Sequence, residues 1–145
     1  MIHFEDFTEV NWRIPLTVSK QQEAFVSNPM KLLARAYAFR NLGSYACFIY
    51  NDDEPVGMAL YHDCPELNAY YFSQLFIDER YQGKGYGKKA AQMLIERMRM
   101  EHRFNKVVLC YIEGNDVARL MYENIGFTHT GEADGNEIMM ELSLG

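Results

Sequence analysis

The run AYYFSQLFID (69–78) carries aromatic and branched residues suited to a half-buried pleated surface, and KVVLCYI (106–112) is an apolar run of strand length. Between them Ala91, Leu94, Ile95 and Met98 fall at i, i+3, i+4 and i+7, the period of an amphipathic helix running from Gly85 to about Arg103. Two strands joined through a helix run parallel when they share a sheet, with a right-handed crossover. This strand–helix–strand unit fixes the middle of the chain, and every other element has to be arranged around it.

Residues 1–7 read as a short strand, with Ile2 and Phe4 alternating against His3 and Glu5. Two helical patches follow. In one, Asn28 is an N-cap and Pro29 a first-turn residue, and Leu32, Leu33, Ala36 and Tyr37 share one side as far as about Arg40. SYACFIY (44–50) and PVGMALYHD (55–63) form an antiparallel pair around the acidic turn NDDE (51–54). NDVARLMYENIGF (115–127) is a short helix begun by Asn115 and stopped by Gly126, and strands near 127–131 and 137–142 complete the order β-α-α-β-β-β-α-β-α-β-β. The expected class is α/β (α+β), one domain over residues 1–145, with a mixed sheet and helices on both faces. A chain of this length buries roughly 70% of its extended surface, and a composition 48% apolar supplies the core.

The net charge of −6 repels phosphate backbones and attracts cations, so a nucleic-acid partner is not expected. Cys47, Cys64 and Cys110 are odd in number and in no C-x-x-C spacing, as in a reducing compartment. The N-terminal residues lack the pattern of a signal peptide, and no run is long enough to span a membrane. A cytoplasmic protein without membrane contact is the expectation. His3, His62, His102 and His129 have no metal-site spacing and are placed at the surface or at sheet ends; no metal is expected.

The loop YQGKGYGKK (81–89) puts Gly83, Gly85 and Gly87 at alternate positions where the central helix begins. A Walker A loop would need a hydroxyl after Lys88, where Lys89 stands, and a Rossmann fingerprint would need glycine at Lys88 itself. What remains is general. The first N–H groups of a helix have no partner inside it, the dipole adds positive charge, and Lys84 and Lys88 add more. A diphosphate fits such a loop; the competing reading is a tight strand-to-helix turn.

FIDERYQGKGYGKKAAQMLIERM resembles the acyl-CoA-binding core of the GNAT family of N-acetyltransferases, whose signature of Gln or Arg, then Gly, then Gly or Ala falls on Gln82, Gly85 and Gly87. EGNDVARLMYENIGF (113–127) is similar to the family's later block of Asn, Ala and Tyr followed by Gly-Phe. The resemblance implies the GNAT fold, a mostly antiparallel mixed sheet in which parallel strands 69–78 and 106–112 splay apart. It also implies that acetyl-CoA is the co-substrate. Its pantetheine arm would lie along the backbone of Leu75, Phe76 and Ile77, its diphosphate on Gln82, Gly83, Lys84, Gly85, Tyr86, Gly87 and Lys88, with Asn115 and Ala118 beside it.

Acetyl transfer to an amine needs a neutral amine and a proton for the departing thiolate. An alkylamine of pKa about 10.4 is neutral once in roughly 2,500 molecules at pH 7, a handicap of about 4.6 kcal/mol. Asn115, Ala118 and Tyr122 share one helical face while Val117, Leu120 and Met121 lean to the core side. Tyr122, a phenol of pKa near 10, matches the family's general acid; simple packing is the other role for a tyrosine there. Where many relatives carry a glutamate base this chain has Tyr71, so the proton is expected to leave by water toward Tyr71, Glu23 or a backbone carbonyl.

QQEAFVSNPMKLLARAYAF (21–39) and NDDEPVGMALYHD (51–63) resemble bacterial spermine/spermidine N-acetyltransferases. That resemblance implies a small-molecule polyamine acceptor, met by Glu23, Tyr37 and Tyr71, with Asp63 and Glu66 as further acids. Acetylation of a protein or another small amine, and a non-catalytic acyl-CoA sensor, are the alternatives. Relatives are often dimers, and the strand near the C-terminus offers an edge for a homodimer.

Overall fold

In the computed structural model, which describes residues 1–25 and 28–145, the chain runs β1 (Ile2–Asp6), α1 (Pro29–Ala38), β2 (Tyr45–Asn51), β3 (Glu54–Cys64), β4 (Ala69–Ile77), α2 (Tyr86–Glu101), β5 (Lys106–Ile112), α3 (Asp116–Ile125), β6 (Thr128–Asp134) and β7 (Glu137–Ser143). Val26 and Ser27, inside the segment 21–39 that carries the polyamine-enzyme resemblance, lie outside the described residues. The strands form one sheet in the order β1-β2-β3-β4-β5-β7-β6, antiparallel throughout except for the parallel pair β4–β5. Among the described residues one α-helix, not two, precedes β2. The segments around Trp12 and Gln22 close single turns, and Pro15 between them cannot continue a helix.

Side chains alternate across the sheet with period two. Cys47, Ile49, Val56, Ala59 and Tyr61 pack on the face covered by α2 and α3, whereas Phe48, Met58 and Leu60 pack on the face covered by α1 and by Leu16 of the segment before it. The alternation breaks on β3 between Val56 and Ala59, at the register shift with β2, and again on β4. Tyr70 and Phe72 face α2, and so do Leu75 and Ile77, an odd step between two even ones. The register explains it: Tyr61 pairs with Phe72 and Leu60 with Gln74, leaving Ser73 as the extra residue of a β-bulge.

The bulge falls just after β4 and β5 separate. Among the described residues these strands pair only at Tyr70 with Val107 and Tyr71 with Val108. Beyond Tyr71 the edge of β4 that faces β5 has no strand partner among them, and the wedge between the two strands is closed from below by α3.

Asp78, fully buried at the end of β4, ties the N-terminal segment to this region. Its carboxylate accepts from the Thr17 N–H at 2.9 Å and from the Arg80 N–H and Nε at 2.9 and 2.8 Å, while the Glu79 N–H donates to Thr17 O at 2.9 Å. Burial would raise the carboxyl; the donors of Arg80 and Thr17 outweigh it and hold its pKa below the usual carboxylate value. The folded-state pKa is therefore depressed, so the contribution to stability is complete above the unfolded value of about 3.9 and is lost as pH falls through the folded one. Asp78→Asn is expected to destabilise by about 2 kcal/mol at pH 7. In denaturant titrations the gap between parent and variant should close under acid; a gap that persisted unchanged at pH 2 would contradict this account.

One expectation about positions needs correction. His62, two residues from the end of β3, keeps to the sheet-end placement, buried and stacked in parallel on Phe39 (4.3 Å) and Tyr71 (5.5 Å), but the expected faces of α3 do not hold. On α3 the core side is the face of Ala118, Met121, Tyr122 and Ile125, and Val117 and Leu120 are 70% and 57% exposed. The short helix lies across the wedge and turns its polar-looking signature face inward, so residue hydrophobicity alone misassigns two of its positions.

Candidate active site

Two cavities occupy the wedge. One, of about 470 Å³, runs from the glycine loop to α3; the other, of about 450 Å³, lies between α1, β4, β5 and β7. They share Leu75, Asn115, Ala118 and Tyr122 as a common wall.

The first cavity is built by the β4–α2 connection. Gly83 and Gly85 have φ of 78° and 82°, the left-handed region that favours glycine, so both are required by the turn itself. Gly87 is different. It lies in the first turn of α2, a Cβ there would meet only Ile77 Cγ1 at 3.4 Å and Met121 Sδ at 3.6 Å, and its open side faces the cavity. The fold does not demand glycine at 87, whereas a ligand approaching the backbone would. No backbone N–H of residues 82–88 donates to another described residue, and Lys89 N–H to Gly85 O at 3.1 Å is the first bond of the helix. This row of free donors at a helix N-terminus, with Lys88 on the same wall, has the chemistry to hold a diphosphate.

Most residues expected to bind the cofactor come together here: Leu75, Phe76, Ile77, Gln82, Gly83, Gly85, Tyr86, Gly87, Lys88, Asn115 and Ala118 line the cavity. Lys84 does not, and its Nζ lies 6.0 Å over the Tyr81 ring instead. The Gln82 amide donates to Ile77 O at 3.1 Å, so it closes the turn and occupies one carbonyl at the end of β4. Asn115 Oδ1 caps α3 by accepting from the Ala118 N–H at 3.3 Å, which leaves its Nδ2 donor for a ligand. The opposite wall is Val18, Ser19, Gln21 and Gln22, which sequence reasoning missed; the Thr17–Asp78 clamp positions them, and no local pattern reveals it.

Tyr122 stands where the cavities meet. Its ring is buried edge-on against Phe72 (6.3 Å) and Phe127 (5.5 Å), and its hydroxyl makes no hydrogen bond among the described residues. Burial holds its phenol well above the ordinary value, so it carries its proton throughout the neutral range.

The second cavity contains Glu23 and Tyr71, as expected, but not Tyr37. That side chain is 68% exposed on the outer face of α1 beneath the Arg40 guanidinium, 4.0 Å from the ring centre. Lys31, Arg35, Cys110 and Glu137 join it unforeseen. Burial first, then the hydrogen bond with Cys110 and the charge of Glu137, push the Tyr71 phenol up against a smaller opposing effect of Arg35. Held that way, Tyr71 is a proton donor at neutral pH and a poor terminus for a proton relay. Among the described residues no three His, Cys, Asp or Glu side chains are grouped to hold a metal ion.

The acetyltransferase (GNAT) family profile matches residues 5–127 of this chain. The chain belongs to the GNAT family. The spermine/spermidine N(1)-acetyltransferase of Bacillus subtilis (strain 168) is 30% identical to this GNAT protein over 139 residues, 88% of each chain. Its fold is shared by an acetyltransferase from Thermus thermophilus (TM-score 0.81, 16% identity, 99% of this chain and 97% of that one). It is shared also by the Vibrio cholerae spermidine N-acetyltransferase in complex with CoA and spermine (TM-score 0.76, 14% identity, 99% and 95% covered). Membership makes this GNAT chain an acetyl-CoA-dependent acetyltransferase, and the free amides at 82–88 and the open side of Gly87 fit that co-substrate.

Proposed function

We propose that this enzyme acetylates a small primary amine, with a polyamine of the spermine/spermidine kind as acceptor, and that Tyr122 is its general acid. One observation carries the reading: two separate cavities, one suited to a diphosphate and one lined by charged side chains, meet at Tyr122, whose hydroxyl has no partner among the described residues. The polyamine part is supported by the likeness to the Bacillus subtilis enzyme and by two carboxylates, Glu23 and Glu137, in the second cavity.

Acetyl-CoA supplies an activated thioester. The amides of 82–88 and Lys88 hold its diphosphate, and the free edge of β4 from Leu75 to Ile77 directs its arm toward Tyr122. In the second cavity Glu23 and Glu137 attract the acceptor's ammonium and, through water, accept the proton it must lose before nitrogen can attack. The nitrogen forms its bond to the acetyl carbon as the carbon–sulfur bond breaks, and Tyr122 gives its proton to the departing sulfur. The second proton, which the nitrogen sheds on becoming an amide, returns through water to the Tyr122 oxygen, so the phenol is restored and the one proton released overall is that taken by the carboxylates.

The test is release of free CoA from acetyl-CoA across a panel of amines: spermine and spermidine beside lysine, a peptide N-terminus and an aminoglycoside. Polyamines are expected to give the highest kcat/KM. Release with another amine and none with polyamines would remove the acceptor assignment and leave the enzyme class; no release with any amine would remove the reading.

A further inference from the structure

Most arginines of this chain have an electrostatic partner. Among the described residues Arg80, Arg97, Arg99, Arg103 and Arg119 each hold a carboxylate, and Arg13 and Arg40 lie over the rings of Trp12 and Tyr37. Arg35 does neither. It projects from α1 into the second cavity, and its one hydrogen bond among the described residues runs from Nη1 to Ser73 Oγ at 3.0 Å. Ser73 is the bulge residue of β4, so the guanidinium is anchored where β4 and β5 part, with most of its donors unused.

Lys31 lies one turn earlier on α1 and lines the same cavity, giving that side two uncompensated positive charges. Glu23 and Glu137 enter from other elements, and none of these four groups makes an ion pair among the described residues. The cavity is therefore not uniformly acidic, as a site that only collects cations would be. It has a basic side and an acidic side, and Tyr71 lies within the field of both, since Glu137 and Arg35 act on its phenol in opposite senses.

We propose that Arg35 is a specificity-determining residue that sorts acceptors by the charge on the part of the molecule remote from the reacting amine. A second ammonium brought against α1 is repelled, and an anionic group there gains an ion pair with the guanidinium. A polyamine is accepted only with its remaining charges on the side of Glu23 and Glu137. The inference rests on the reading of this cavity as the acceptor site, and concerns which acceptors it favours.

Three amines of similar size isolate the effect: pentylamine, 1,5-diaminopentane and 6-aminohexanoate, whose remote ends are neutral, positive and negative. Their affinities for the CoA-loaded protein are measured by calorimetry in the parent chain, Arg35→Gln and Arg35→Lys, and CoA binding by each variant shows that it is folded. Arg35→Gln is expected to move the ratio of affinities for 6-aminohexanoate and 1,5-diaminopentane about tenfold in the diamine's favour, with pentylamine moving least, whereas Arg35→Lys keeps most of the parental ratio. An equal preference in parent and Arg35→Gln, a loss in Arg35→Lys as large as in Arg35→Gln, or no binding of any of the three would overturn the proposal. Turnover of the same amines with acetyl-CoA is scored separately. Binding that shows the preference without turnover removes the functional reading and leaves the sorting role of Arg35 in place.

Discussion

Replacing Tyr122 by phenylalanine is expected to lower kcat by about a hundredfold and to change the KM for acetyl-CoA by less than about twofold. The ring packs edge-on against Phe72 and Phe127, contacts that phenylalanine keeps, so only the hydroxyl is lost. That hydroxyl has no partner among the described residues, so its removal orphans no buried group and thermal stability should be unchanged or slightly higher. Because burial raises the phenol, the parent enzyme should show no loss of kcat from this group as pH rises toward 10. Steady-state kinetics with saturating amine decide the matter, and a Tyr122→Phe enzyme with parental kcat would remove the phenol from the reaction.

Gly57→Ala is expected to cost about 3 kcal/mol or more, lowering Tm by about 10 °C. A Cβ at 57 would lie 2.2 Å from Phe76 O and 2.9 Å from Ile77 Cδ1. The first of these is backbone, so no rotamer change relieves it and β3 must move away from β4. Phe76 and Ile77 also wall the cofactor cavity, and the same displacement should raise the KM for acetyl-CoA. Calorimetric unfolding of the variant tests it; a Tm within a degree of the parent would show that β3 and β4 have slack which the contact denies.

The cofactor half of the site was legible in the sequence because its parts are local. A strand end, alternate glycines and a helix start lie within some fifteen residues, and Asn115, Ala118 and Tyr122 share one helical face. The second cavity, proposed to take the acceptor, is assembled from α1, the segment before it, β4, β5 and β7. Glu137 reaches the cavity because β7 inserts between β5 and β6, pairing Glu137 with Ile112, and strand order of that kind leaves no local mark. Arg35 is a neighbour of the bulge at Ser73, which the aromatic run AYYFSQLF conceals because either parity places a large side chain on each face. Tyr37 suggests itself as an acceptor contact by residue type, but α1 turns Lys31 and Arg35 toward the wedge and Tyr37 away. The partly missed α3 face has the same origin: the side that meets the cavity is chosen by what lies beneath the helix.

The extra residue at Ser73 makes the count of residues along β4 a property of the binding site. With one residue fewer, the ladder with β3 would run uninterrupted and Leu75 and Ile77 would still face α2, but the bend of the bulge and the hydroxyl that accepts from Arg35 would be lost. The turns at 51–53 and 135–136 can drift in length over evolutionary time, whereas deleting the extra residue here would straighten β4 where it parts from β5 and leave the Arg35 guanidinium without its anchor.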